Sequence, residues 1–117
     1  MITAAETKQR MSDEPRWWKI ALMDFVDSFR YHRNQKAISQ PFELGEEDKD
    51  AVLAGTIETL CDELDISIPD WLFDVPVSRE PVFLSRIEAM KAFSLSQSPP
   101  HFRARKVFVC DNFLFRV

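Results

Sequence analysis

Between residues 15 and 32 the apolar positions fall three and four apart, so that Trp18, Ala21, Leu22, Phe25, Phe29 and His32 share one face of a helix. Asp13-Glu14-Pro15 precedes this stripe with a helix-start pattern: a capping aspartate, an early acid and a proline in the first turn. The pattern predicts a helix over Pro15–His32 with its core side on that stripe. His32 at the end is read as a hydrogen-bonded residue or a favourable charge at the helix C-terminus, not as a base or ligand. The opposite side is unusual, because Ile20, Met23 and Tyr31 cluster there around Asp27. Surface helices are polar on that side, so the second stripe predicts a partner or self-association surface, or else a face covered by the tail or the N-terminal arm.

A second stripe of helical spacing, Leu53, Ile57, Leu60, Cys61 and Leu64, predicts a helix over Glu46–Leu64. Gly45 is the hinge before it, and Glu46, Glu47 and Asp48 suit the positive end of its dipole. Gly55 falls on the far face of this helix and costs about 1 kcal/mol relative to alanine. Glu58, Asp62 and Asp65 are outward acids. Their spacing does not resemble a calcium loop, and no metal site is expected. A third helix is predicted over Ser85–Leu95, opened by the capping-box pair Ser85 and Glu88 and closed before Pro99-Pro100.

The remaining stretches connect these helices. Residues 1–13 are polar and read as a loose arm, with helix conceivable over Ala4–Met11. Residues 33–45 form a connector that Phe42 and Leu44 pin to the core. Ile66–Pro76 reads as a connector with a short helical turn in which Trp71 and Phe73 plug the end of the bundle. In the last twenty residues, Pro99–Arg105 suits one helical turn with Phe102 inward. Arg103 and Arg105 cannot share a helical face, so one turns back to the body and one out. Val107-Phe108-Val109-Cys110 suits an extended segment. Residues 111–117 suit either a returning strand or, preferred here, a terminal helical turn. Chain ends usually fray into polar residues; this one is greasy and carries arginines, which predicts that it is packed down. The fold class is therefore all-α: one helical domain over residues 1–117, a small bundle of three main helices plus short helical turns, with a docked, partly extended C-terminal tail.

Composition refines this picture. The chain has 117 residues, enough to bury a core without disulfide or metal, and only 2 glycines, which favours helices over a turn-rich sandwich. Cys61 and Cys110 stand far apart, as do His32 and His101, so no zinc ligand set is present. No leader-like start or membrane-length apolar run is seen, and a cytoplasmic protein with reduced thiols is expected. The formal net charge of −4 conceals a segregation: residues 43–74 hold eleven carboxylates against the single Lys49, whereas residues 98–117 hold four basic groups and one acid. Such an acidic block repels phosphate, which makes a general nucleic-acid binder unfavourable. It either pairs with the basic tail of the same chain or forms a solvated face.

The tail pattern Ser98-Pro99-x-x-Phe102-Arg103-x-Arg105-x-Val107-Phe108-Val109-x-x-Asn112-x-Leu114-x-Arg116-Val117 resembles the ending of a family of small, uncharacterised bacterial proteins. Their C-termini read S-P-x-x-F-R-x-R-N-I-F-V and end near L-x-R. Pro69-Asp70-Trp71 and Pro81-Val82-Phe83 resemble further proline–aromatic spots of that family. Lys106 stands where the family has Asn, and Phe113 where it has a small residue. By analogy with compact bacterial proteins of this kind, the resemblance implies a regulatory or antitoxin-like partner protein and no particular activity.

Three function classes follow. The first is a protein-interaction module, with Ile20, Met23, Tyr31, Arg103, Arg105, Lys106 and Arg116 as partner-binding residues and another protein, or a second copy in a homodimer, as partner. The second, an alternative, is nucleic-acid binding by the tail, where Arg103, Arg105, Lys106 and Arg116 interleave with Phe102, Phe108, Phe113 and Phe115. The third, an enzyme, is disfavoured. There is no phosphate loop, HExxH or nucleophile elbow, and His101, Cys110 and Asp111 form a triad only on paper. No catalytic residue, metal or cofactor is assigned.

Overall fold

A computed structural model describes residues 1–84, 98–109 and 113–114. Among them the fold is mostly helical, built on three long helices: α1 (Ala4–Asp13), α2 (Trp18–His32) and α3 (Glu47–Leu64). Three 3-10 turns, Pro15–Trp17, Gln35–Ile38 and Asp70–Asp74, link or follow them. A short helix α4 (Pro100–Ala104) and two two-residue strands, β1 (Val82–Phe83) and β2 (Val107–Phe108), complete the described elements. The predicted helix Ser85–Leu95 and the question of how residues 110–112 and 115–117 end the chain lie outside the described residues.

The first 13 residues are not a loose arm. Thr3 caps α1 by accepting from Glu6 N at 3.1 Å while its hydroxyl donates to the Glu6 carboxylate. Ala4, Thr7, Lys8 and Met11 are buried, at i, i+3, i+4 and i+7. Two of these four stripe positions are polar, so the hydrophobic pattern read as an unanchored segment. Thr7 returns its hydroxyl to Thr3 O at 2.9 Å. Lys8 Nζ lies 2.6 Å from Asp50 Oδ1 and donates to Glu43 O at 2.8 Å. The Lys8 and Asp50 side chains are only 4 % and 2 % exposed. The other Asp50 oxygen accepts from Gly45 N and Glu46 N, closing the turn that starts α3. Gly45 there has φ +143°, a backbone conformation that side chains disfavour.

Asp13 belongs to the end of α1 and does not cap α2. The residue before Pro15 is pushed out of the helical region, and Glu14 at φ −127°, ψ 72° breaks the two helices apart. In α2 the expected core residues Ala21, Leu22, Phe25 and Phe29 are buried, with Phe25 and Phe29 stacked at 5.7 Å between ring centroids. Trp18 is half-buried and His32 is exposed.

The α3 helix spans almost the range its pattern predicts and is the centre of the fold. Every residue from Asp50 to Ile57 is buried, as are Leu60 and Cys61. Gly55 is therefore not on a far, solvated face: the Phe102 ring of α4 packs against it. At its C-terminus Asp65 adopts a left-handed conformation, and Ile66 N donates to Cys61 O at 2.8 Å. Beyond α3, Trp71 Nε1 donates to Ile38 O at 2.8 Å and its ring meets Phe42 edge-on, while Leu72 is fully buried. Phe73 does not plug the bundle; it points to solvent. Strands β1 and β2 pair in parallel, Val82 opposite Val107 and Phe83 opposite Phe108, with the two phenylalanine rings stacked. Ser98 Oγ both accepts from Val109 N and donates to Val109 O, closing the tail segment on itself.

Candidate functional site

The second apolar stripe of α2 divides in two. Met23 is buried, which removes it from the expected partner-binding residues and agrees with the alternative of a covered face. It shares a side of the helix with Lys19, Val26 and Arg30. The tail reaches both ends of that side: Lys19 Nζ sits 5.4 Å over the Phe113 ring, and Arg30 Nη1 donates to the carbonyl of buried Leu114 at 2.7 Å. Arg30 also grips Glu63 of α3 through two bonds of 2.8 Å. Ile20 and Tyr31 stay exposed, Tyr31 at 83 %. Trp17, which the sequence reading did not single out, continues their line three residues before Ile20 and is half exposed. It spans no regular stripe in sequence because it belongs to the 3-10 turn before α2. Trp17, Ile20, Asp24 and Tyr31 thus form one ridge, with Asp24 held to Arg10 of α1 at 3.0 Å and Arg16 stacked over the Trp17 ring. A small cavity of about 180 Å³ opens beside it, lined by Arg10, Glu14, Trp17, Ile20 and Ala21.

The tail residues divide as well. Arg103 and Lys106 are exposed, Lys106 in a left-handed conformation with φ +61°. Arg105 turns inward and is committed to the fold. Its side chain is 8 % exposed; Nε donates to Glu58 Oε1 at 2.5 Å, Nη1 to Val75 O at 3.0 Å and Nη2 to Leu72 O at 2.9 Å. Arg116 lies outside the described residues. The placement of Arg103 outward and Arg105 inward follows the expectation that the two cannot share a face. A signal for Arg105 was available only in part: alternation fixed that one arginine turns in, but not which carbonyls it would meet.

Charge pairing runs between the acidic block and the tail. Besides Glu58 with Arg105, Asp62 of α3 meets His101 Nε2 at 2.5 Å. Two of the three α3 acids expected to face outward are thus held by tail side chains. Among the described residues no group of three or more His, Cys, Asp or Glu side chains could hold a metal ion. His101 is turned to Asp62, while Cys110 and Asp111, its paper partners, lie outside the described residues. The Cys61 thiol is buried, and burial, with the Asp62 and Glu58 charges adding, pushes its pKa up to about 11. A thiol so shielded is a poor nucleophile. No described helix is long and apolar enough to cross a membrane.

Comparison with protein-family models, with curated proteins and with solved structures returns no match.

Proposed function

We propose that this protein is a non-catalytic protein-interaction module, of the regulatory or antitoxin-like kind, that docks another protein through the exposed ridge of α2. The observation that carries this reading is the alignment of Trp17, Ile20 and Tyr31 on the solvent side of a helix whose other sides are fastened to α1, α3 and the tail. Large apolar side chains on a fixed element lose little conformational freedom on binding, and aromatic residues of this type dominate interface energies. Carboxylates Asp24 and Asp27 lie between Ile20 and Tyr31 in the helix. The apolar members of the ridge suit the apolar face of an amphipathic partner segment. In this reading the tail is a docked structural layer, supported by the burial of Phe102, Arg105, Val107, Val109 and Leu114. A cytoplasmic location fits such a role.

A non-catalytic reading is supported by how the reactive groups are engaged: Cys61 shielded, His101 on Asp62 and Arg105 on Glu58. The nucleic-acid alternative loses Arg105 to the interior, and among the described tail residues it retains the exposed Arg103 and Lys106 as cations. The deciding experiment is affinity capture from the native host with wild-type chain and with Ile20→Asp/Tyr31→Asp, followed by titration of the purified partner. The double variant is expected to fold, since both positions are exposed, and to lose binding. A partner that binds the variant unchanged overturns the ridge as the docking surface. Retention of a labelled single-stranded oligonucleotide at low salt, released by added salt, would favour the alternative.

A further inference from the structure

The turn after α3 holds an aromatic side chain out in water on a backbone that is fixed from inside. Three apolar residues follow one another in the 3-10 turn Asp70–Asp74. Trp71 is tied to Ile38 and Phe42, and Leu72 is fully buried, but Phe73 is 79 % exposed. Val77, half exposed, and exposed Pro76 extend the same loop. The loop is not slack. The guanidinium of Arg105 donates to the carbonyls of Leu72 and Val75, which bracket Phe73-Asp74, and is itself held by Glu58 of α3. A planar cation with three fixed bonds pins both ends of a two-residue tip. The inward positions of the turn are taken by Trp71 and Leu72, which leaves Phe73, Pro76 and Val77 as three exposed apolar residues on one pinned loop, a surface that gains by being covered.

Charge defines that contact. Asp70 and Asp74 are exposed on either side of Phe73. No Lys or Arg occurs in sequence between Lys49 and Arg79. We propose that the Phe73–Val77 turn is a second docking element, a knob for a cationic partner: an apolar pocket edged by Lys or Arg receives the Phe73 ring while Asp70 and Asp74 meet its basic edge. This assignment concerns a different element from the α2 ridge and stands whether or not that ridge binds a protein.

The test uses a random dodecapeptide library displayed on phage, panned against the full-length chain. Enriched peptides are expected to combine aromatic or aliphatic residues with Lys or Arg. Their affinity is expected to fall more than about tenfold in Phe73→Ser, as for a central aromatic anchor. In Asp70→Asn/Asp74→Asn the affinity is expected to fall and its dependence on salt to flatten. Phe73→Ser removes no buried contact, so its circular dichroism and unfolding midpoint should match wild type; a variant that unfolds would itself contradict the exposed placement. Failure to enrich any peptide, peptides without basic residues, or peptides that bind Phe73→Ser as tightly would each overturn the proposal. Sedimentation equilibrium of the wild type and of Phe73→Ser closes the remaining case: a self-association lost with the ring makes a second copy the occupant and overturns the cationic partner.

Discussion

Gly55 of α3 and Phe102 of α4 touch so closely that nothing larger than hydrogen fits between them: a Cβ at Gly55 would stand 2.8 Å from Cδ1 and 3.1 Å from Cε1 of the Phe102 ring. The ring is fully buried and meets Phe113 edge-on at 5.8 Å, so it has little room to retreat. Gly55→Ala sets two effects against each other. Alanine favours the helix by about 1 kcal/mol, while forcing a methyl group into a packed core costs about 1–3 kcal/mol. The expected outcome is a lower urea midpoint. Phe102→Leu should cost less in the Gly55→Ala background than in wild type, the signature of direct coupling. A raised midpoint for Gly55→Ala would show that the ring yields.

Arg105 is expected to be among the residues least tolerant of change. Removing it by Arg105→Met leaves the Glu58 carboxylate, itself mostly buried, and the carbonyls of Leu72 and Val75 without their donor. Breaking one half of a buried ion pair costs about 3–5 kcal/mol. Arg105→Lys keeps the charge but cannot reach three acceptors at once, so its unfolding free energy should fall between the two. Equal stability of wild type and Arg105→Met would refute the clamp.

The attachment of α1 rests on Lys8 and responds to acid. Lys8→Met leaves the buried Asp50 carboxyl without its cation, with an expected loss of about 3–5 kcal/mol, and Asp50→Asn in that background should restore part of it. Glu46 adds a pH-dependent link: its carboxylate accepts from Lys49, at 2.7 Å, and from Ser12 of α1. These bonds, that of Lys49 first, hold its pKa below the ordinary 4.5. A depressed carboxyl contributes stability that is present above the ordinary value and lost as pH falls through the folded-state value. Amide protection factors in α1, taken against the intrinsic exchange rate at each pH, should therefore fall in acid before those in α3, and Glu46→Gln should weaken this dependence. Protection lost equally in both helices would argue against a separate latch.

Cys61 should be silent in the native state. With its pKa near 11, only about one thiol in a thousand is ionised at pH 8. Iodoacetamide is expected to leave the Cys61 peptide unmodified in buffer and to label it fully in urea, read by mass spectrometry of the digest so that Cys110 is scored apart. Rapid native labelling would mean that the core around α3 opens.

Local periodicity determined much of this protein without reference to its partners in space. The stripes over residues 15–32 and 46–64 specify α2 and α3, because a helix can bury an apolar face only if residues three and four apart are apolar together. The hinge at Gly45 and the inward turn of one tail arginine followed from the same kind of local constraint. Thr3 and Glu6 stand at capping-box spacing, a local signal for α1 that the reading of residues 1–13 as a polar loose arm passed over.

Tertiary structure decided what becomes of polar or oversized residues at positions that local pattern leaves open. Lys8 enters the core because Asp50 and the Glu43 carbonyl are there to meet it; a lysine in the same stripe without them would face water. Arg105 turns in because Glu58, 47 residues earlier, and two turn carbonyls accept its protons. Met23 is buried and Ile20 exposed although they lie one turn of helix apart; Phe113 and Leu114 meet Lys19 and Arg30 on the Met23 side of α2. Phe73 is left in solvent because Leu72 and Trp71 take the inward positions of a tight turn. Burial of a charge or exposure of a ring is settled by groups distant in the chain, and spacing along the sequence carries no record of which groups will arrive.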